Sequence, residues 1–166
     1  MQKKKPTKKT DIEKIDFVKQ GKKNRAAGQR FEAKVRAGLE EMGWIVDKWT
    51  NTVDYNRDGG TGKVVPAKRT YNPFRKAMVI GTGFPDFICI KHNKNDDEIY
   101  GKDSWDVIGV EVKKNGYLDQ IEKSMCERLL QDKVFSRILI ARMKQAKPGS
   151  KIEVEYIDFL DKYKKS

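Results

Sequence analysis

Apolar side chains recur at Ala27, Phe31, Val35, Leu39 and Met42, at spacings of four, four, four and three. That period predicts a helix from about Arg25 to Met42 with one apolar stripe. Gly43 supplies its stop, and Trp44-Ile45-Val46 through Trp49 reads as a strand. Further on, Phe84 to Ile90 is apolar on both faces apart from Asp86, and Trp105 to Lys113 is apolar on both faces until Glu111. Both runs have the pattern of central strands buried on two sides, and the polar stretch from Lys91 to Ser104 is the loop between them. Leu118, Ile121, Met125 and Leu129, spaced three, four and four, mark a second helix over about Leu118 to Lys133. Ile138 to Ala141 and Ile152 to Ile157 are further strands, and Phe159-Leu160 begins a short terminal helix.

Residues 50–78 follow neither period for long. Trp49, Asn51, Val53 and Tyr55 alternate with polar residues, Asp58 to Gly62 turn, and Lys63-Val64-Val65 return as the second arm of a hairpin. Pro66 and Pro73 rule out a continuous central strand beyond it. Ala67 to Lys76, where Lys68, Arg69, Arg75 and Lys76 interleave with Tyr71, Asn72 and Phe74, reads as a basic, aromatic-bearing surface loop. At the other end, Met1 to about Thr10 is lysine-rich and reads as disordered. Ile12, Ile15, Phe17 and Val18 suggest a short helix or a docking segment after it. The expected organisation is a largely flexible basic segment over residues 1–23, then one domain over 24–166 with an insertion at about 50–80. Its fold class is mixed α/β, a central mixed β-sheet flanked by helices.

Charge sharpens this picture. The 166 residues hold 36 Lys plus Arg against 24 Asp plus Glu, a net charge of +12. Residues 1–30 contribute 11 basic and 3 acidic side chains, net +8, and residues 57–76 contribute 6 basic against Asp58, net +5, which leaves −1 for the rest. Two basic patches on a neutral body fit a nucleic-acid footprint better than a solubilising coat. One His and two Cys exclude a cysteine scaffold, a Cys/His zinc cluster and chemistry that needs two histidines. A Ser-His-Asp triad would have to use His92, within the very polar run from Lys91 to Glu98. No apolar run has the length of a membrane span, and the start lacks a signal peptide's hydrophobic segment. The expectation is an intracellular protein, cytoplasmic or nucleoid-associated, or in host cytoplasm if viral.

The chemistry then falls to carboxylates and lysines. Asp86 and Glu111 stand in strands that should be buried, where an acid is costly unless paired or bound to a metal. Glu111 and Lys113, two residues apart on a strand, project from one face. Hard oxygen ligands hold Mg²⁺ beside a phosphodiester, and an adjacent ammonium positions water or stabilises charge.

Pro85-Asp86 followed by Glu111-Val112-Lys113 resembles the signature of the PD-(D/E)xK nuclease superfamily. The 25-residue separation of Asp86 and Glu111 suits adjacent strands joined by a loop. Pro85-Asp86 is the one such pair in the chain, and the other Glu-x-Lys, Glu32 to Lys34, lies on the first helix, where that spacing points the side chains apart. Gly28-Gln29-Arg30-Phe31-Glu32 matches the helix glutamate of archaeal-type Holliday-junction resolvases, and the order of elements from about Asn24 to Lys144 follows theirs. The resemblance implies a restriction-endonuclease-like core, Mg²⁺ with Mn²⁺ substituting, a branched DNA substrate and a homodimer making paired cuts. Asp86 and Glu111 would ligate the metal with the Val112 carbonyl, and Lys113 would orient or activate the attacking water. Glu32 would reach the metal cluster through water or bind a second ion; its ordinary reading is an exposed helix acid. Gln120 takes the place of a glutamine near the site. Lys22, Lys23, Arg25, Arg30, Lys68, Arg69, Arg75, Lys76 and Lys114 would grip phosphates.

The chain departs from the resolvases in the 35 residues between Trp49 and Pro85, where theirs lead almost directly into the next strand. Restriction-type, repair or RNA-directed cleavage by the same site therefore stays open, as does a non-catalytic nucleic-acid-binding module. Gly59 to Val64 fails as a phosphate-binding loop, because Arg57 and Val64 occupy positions where Gly and Ser/Thr are needed. Asp96-Asp97-Glu98 is read as a solvated loop, His92 as an exposed polar residue, and Cys89 and Cys126 as reduced core thiols. Trp49, Tyr71 and Phe74 either stack on bases or pack under the inserted hairpin.

Overall fold

The computed structural model describes residues 9–56, 60–72, 76–80, 83–93, 104–144 and 152–164. Helix α1 (Lys9–Glu41) is followed by β1 (Ile45–Lys48), and then by two hairpins. These are β2 (Asn51–Asp54) with β3 (Lys63–Pro66), and β4 (Arg69–Asn72) with β5 (Ala77–Ile80). The chain continues through β6 (Phe87–Asn93), β7 (Ser104–Val112), α2 (Gln120–Gln131), β8 (Arg137–Lys144), β9 (Glu153–Asp158) and α3 (Phe159–Tyr163). One five-stranded sheet runs in the order β1-β6-β7-β8-β9. Only β7 and β8 are parallel, which is why a helix, α2, has to carry the chain between them. The fold is thus α/β, with a mixed sheet between helices, as its apolar pattern indicates.

Alternation along the strands divides the core in two. Phe87, Cys89, Ile108, Val110 and Ala141 face Phe31, Val35 and Leu39 of α1. Ile88, Val107, Ile138 and Ile140 face the opposite side, with Cys126 and Leu129 of α2, Phe135 and Phe159. Both cysteines are free and fully buried, and burial pushes the Cys89 thiol up to about 12, so both behave as small apolar fillers. No helix among the described residues is long and apolar enough to cross a membrane.

Several boundaries differ from the sequence expectation. α1 starts at Lys9, so the stretch through Lys23 is continuous with the Arg25 helix rather than a separate element; residues 1–8 lie outside the described residues. Met42 leaves the stripe and is exposed, because the helix has already ended at Glu41. Gly43 at φ +82° closes it, with Trp44 N donating to Leu39 O and Gly43 N to Glu40 O, the paired bonds of a Schellman stop. The expected loop from Ala67 to Lys76 holds strand β4, paired to β5 with Arg69 opposite Ile80 and Asn72 opposite Ala77. Four-residue strands with charged positions are too short to show a period. β6 extends to Asn93, taking in Lys91 and His92. His92 is half-buried rather than exposed, its ring 4.8 Å from that of Trp105. In α2, Ile121 is exposed, and the core face is set by Cys126 and Leu129 after an Asp119 cap. Asp58, Phe74, Arg75 and the acids from Asp96 to Glu98 lie outside the described residues.

The first inserted hairpin is part of the body. Val53 is buried in the α2-side core, Trp49 packs edge-on against Phe135 at 5.2 Å, and Tyr55 and Val64 pack alongside. For Trp49 the packing reading therefore holds. Tyr71 of the second hairpin is exposed.

Candidate functional site

Three chain segments meet where β1 and β7 end and β6 begins. Lys48, the last residue of β1, pairs in register with Phe87, the first of β6. Trp49 N donates to Asp86 O at 3.2 Å, so the insertion departs beside Asp86. Phe87 in turn lies opposite Val110 of β7, one residue before Glu111. Asp86 and Glu111 are thereby neighbours across a strand pair, although 25 residues apart in sequence.

Their carboxylates are interlocked with the backbone. Glu111 Oε2 accepts from Asp86 N at 3.1 Å, and Asp86 Oδ2 accepts from Val112 N at 3.0 Å. These reciprocal bonds aim both acids at the same end of the sheet. Gly109 makes room for this approach: a Cβ there would lie 2.7 Å from Pro85 Cγ and 3.2 Å from the Phe135 ring. Gly109→Ala should cost about 1–3 kcal/mol in urea unfolding, the usual range for overpacking a filled site, by displacing Pro85 and with it Asp86. An unchanged unfolding midpoint would show that Pro85 can move aside freely.

Two helices complete the cluster from opposite faces. From α1, Glu32 accepts from Lys48 Nζ at 2.7 Å, and the same ammonium lies 3.8 Å from Asp86 Oδ1. From α2, Glu122 Oε1 accepts from Lys113 Nζ, which is also 3.2 Å from Glu111 Oε1. The result is a row of four acids, Glu32, Asp86, Glu111 and Glu122, bridged by two lysines. Among the described residues no group of three His, Cys, Asp or Glu side chains surrounds a common point; the ammonium groups of Lys48 and Lys113 stand among the acids.

The electrostatics follow from burial. Glu111 is the one buried charged residue among the described core, at 6% exposure. Its burial, reinforced by the charge of Asp86, pushes its carboxyl up to about 8 against the lowering effect of Lys113. Burial also raises Asp86, with the Val112 N–H bond and Lys48 pulling the other way. Burial alone would lower Lys113, but its hydrogen bond to Glu122 and the charges of Glu111 and Glu122 outweigh that and raise it. Lys113 is therefore held as an ammonium.

Of the sequence candidates, the fold brings together Asp86, Glu111, Lys113, the strand end at Val112, and Glu32 through Lys48. Gln120 is exposed at the first position of α2; Glu122, two residues on, is the α2 side chain that reaches the cluster. Sequence reasoning missed Glu122 and Lys48. Glu122 had a readable signal: Asp119-x-x-Glu122 is a capping box, with Glu122 N donating to Asp119 Oδ1 at 2.8 Å and Asp119 N to Glu122 Oε2 at 3.0 Å. One Glu122 oxygen thus caps the helix while the other holds Lys113. Lys48 carried no comparable signal.

Lys22, Lys23, Arg25 and Arg30 are exposed along α1, Lys68, Arg69 and Lys76 on the insertion, and Lys114 beside the cluster; Arg75 is outside the described residues. A cavity of about 420 Å³ lies against the α1 side of the site, lined by Asn24, Gly28, Phe31, Glu32, Val112 and Lys114. Compared with protein-family models, curated proteins and solved structures, the chain matches none.

Proposed function

We propose that this protein is a metal-dependent endonuclease with a restriction-endonuclease-like core, hydrolysing phosphodiester bonds in branched or otherwise structured DNA, and similar in this to the Holliday-junction resolvases. The observation that carries the reading is the convergence of Asp86, Glu111 and Lys113 at one sheet end, with an acid from each flanking helix. A purely structural ion pair would not need four carboxylates against two lysines in a chain of net charge +12.

The donor set fits a hard divalent cation such as Mg²⁺. It is all oxygen, carries an excess of negative charge, and includes two acids whose burial makes the charged form costly without a counter-ion. Asp86 and Glu111, with the Val112 carbonyl, would hold it. When bound, such an ion acidifies water and neutralises charge on the transferring phosphoryl group. The protein's own part is positional. Lys113, kept protonated between Glu111 and Glu122, orients the attacking water and stabilises the extra negative charge rather than taking the proton. Lys48, shared by Glu32 and Asp86, keeps Asp86 in place. The homodimer follows from the need for two symmetric cuts.

The test is a cleavage panel on four-way junctions, flaps, linear duplex, single strands and RNA, with Mg²⁺, Mn²⁺ or EDTA. The reading expects Mg²⁺-dependent cutting with preference for a branched DNA; cutting of none of them with any metal would end it. Binding should also depend steeply on salt. The exposed cations on α1 and the insertion predict a fall in affinity of at least tenfold between about 50 and 200 mM salt. A flat salt response in an anisotropy titration would remove those residues from the interface.

A further inference from the structure

Lys114, which lines the cavity beside Glu32, also lines a second one, of about 570 Å³. Lys114, Asn115, Tyr117, Arg142, Lys144 and Glu155 line it. Lys114 walls both, and Met143 N donates to Lys114 O at 3.2 Å, which ties the segment after Lys113 to β8 between Arg142 and Lys144. The two cavities therefore share one lysine, the first reaching Glu32 of the carboxylate row and the second lined by β8 and β9.

The second cavity is basic and carries an exposed ring. Tyr117 is 66% exposed, with Lys162 Nζ 4.3 Å from its ring centroid. Lys162 also donates to Gly116 O, so α3 holds this ring and its loop in place. Arg142 passes its stem under the loop: a Cβ on Gly116 would lie 2.7 Å from Arg142 Cδ. Its Nε donates to Glu155 at 2.9 Å, and Lys144 pairs with Glu153 at 3.0 Å. Lys114 and Lys162 add positive charge beyond these pairs. Lys162 sits below the ordinary lysine range because it is partly desolvated and because Arg142 is close. Two cations crowded together in this way are relieved by an anion.

We propose that this groove binds the sugar-phosphate backbone of the substrate strand on one side of the cleavage position. Arg142, Lys144 and Lys162 contact phosphates, and Tyr117 offers its face to a base or sugar. Glu155 and Glu153 pair with these two β8 cations in the free protein. The inference rests on the nuclease reading and extends it, since it supplies a phosphate path on β8 and β9 from residues outside both basic segments of the sequence.

The experiment measures anisotropy of labelled four-way junction, duplex and single-stranded DNA in EDTA, so that binding is read without turnover. Arg142→Met keeps the stem under Gly116 while removing the charge, and Lys144→Ala alters an exposed position. The double variant should bind at least tenfold more weakly at low salt, with the slope of log affinity against log salt reduced by about two. Tyr117→Ala should weaken binding by about fivefold or more without changing that slope, because stacking releases no counter-ions. Wild-type affinity and slope in the double variant would overturn the groove and leave the nuclease reading standing. A wild-type protein that binds and cuts no nucleic acid would overturn the nuclease reading, and the groove with it.

Discussion

Asp86→Asn and Lys113→Ala should each lower Mg²⁺-dependent cleavage on the order of 10³-fold while leaving nucleic-acid affinity within a few-fold of wild type. The magnitude is that of removing one preorganised charge from a site where negative charge develops. Asn at position 86 preserves the shape, and its carbonyl oxygen can still accept from Val112 N. What it loses is the ionised oxygen beside Lys48, and with it the charge that would hold a cation. Lys113→Ala acts differently. It removes the ammonium shared by Glu111 and Glu122, leaving two acids facing each other without a counter-charge. That variant should also melt earlier, whereas Asp86→Asn should not. Glu122→Gln should fall between wild type and Lys113→Ala, because Lys113 keeps Glu111 but loses its closest partner. Single-turnover cleavage, with binding measured in EDTA, separates these effects. Near-wild-type cutting by either of the first two variants would mean that the acids and lysine are structural.

The second large effect is on stability. In EDTA, the melting temperature should decline as pH rises from about 5 to about 8, and then level off. Glu111 moves from an ordinary value of 4.5 to about 8 in the fold. Below 4.5 it is protonated whether the chain is folded or not, and its contribution is fully present. Between the two values the unfolded chain releases a proton that the folded chain retains, so each pH unit favours unfolding. The ceiling for such a shift is roughly 5 kcal/mol, reached above the folded value. Asp86, also raised by burial, acts in the same direction. Mg²⁺ should reverse the loss, since it favours the ionised acids: a large rise in melting temperature near pH 8, and little near pH 5. Glu111→Gln should flatten both dependences. Equal Mg²⁺ shifts at the two pH values, or an undiminished decline in Glu111→Gln, would show that Glu111 is not the titrating group.

The candidate site motif was legible because each half of it is local. Asp86 sits one residue before a strand, and Glu111 and Lys113 share a strand face, so period and spacing alone bring them near one another once β6 and β7 pair. Strand identity was equally legible wherever an apolar run exceeded four residues. β4, four residues long and carrying Arg69, reads as part of a loop, and β5, an equally short apolar run, shows no period of its own. Glu32 was visible as an acid flanking a buried stripe, but its connection to Asp86 runs through Lys48, at the polar end of β1. Nothing in the local pattern there distinguishes a lysine that joins the carboxylate cluster from a solvated one. Gln120 and Glu122 make the same point over two positions. Only the rotation of α2, set by Cys126 and Leu129 in the core, determines which of them turns towards Lys113.

By itself, then, the sequence determined an α/β body, the central strands and their carboxylates, the buried thiols and two basic segments. These depend on residues close together in the chain, through hydrophobic period, turn chemistry and charge count. Tertiary structure decided what stands across from each of them. It set α1 and α2 on opposite faces of one sheet, so that an acid from each closes the row begun by Asp86 and Glu111. It also laid Lys114, Tyr117, Arg142 and Lys144 along one groove from segments far apart in sequence. The physical reason is that a period specifies which face of an element is buried, but not which partner covers it. Charged side chains at strand ends and on helix rims find their partners only after the core has set the elements in place.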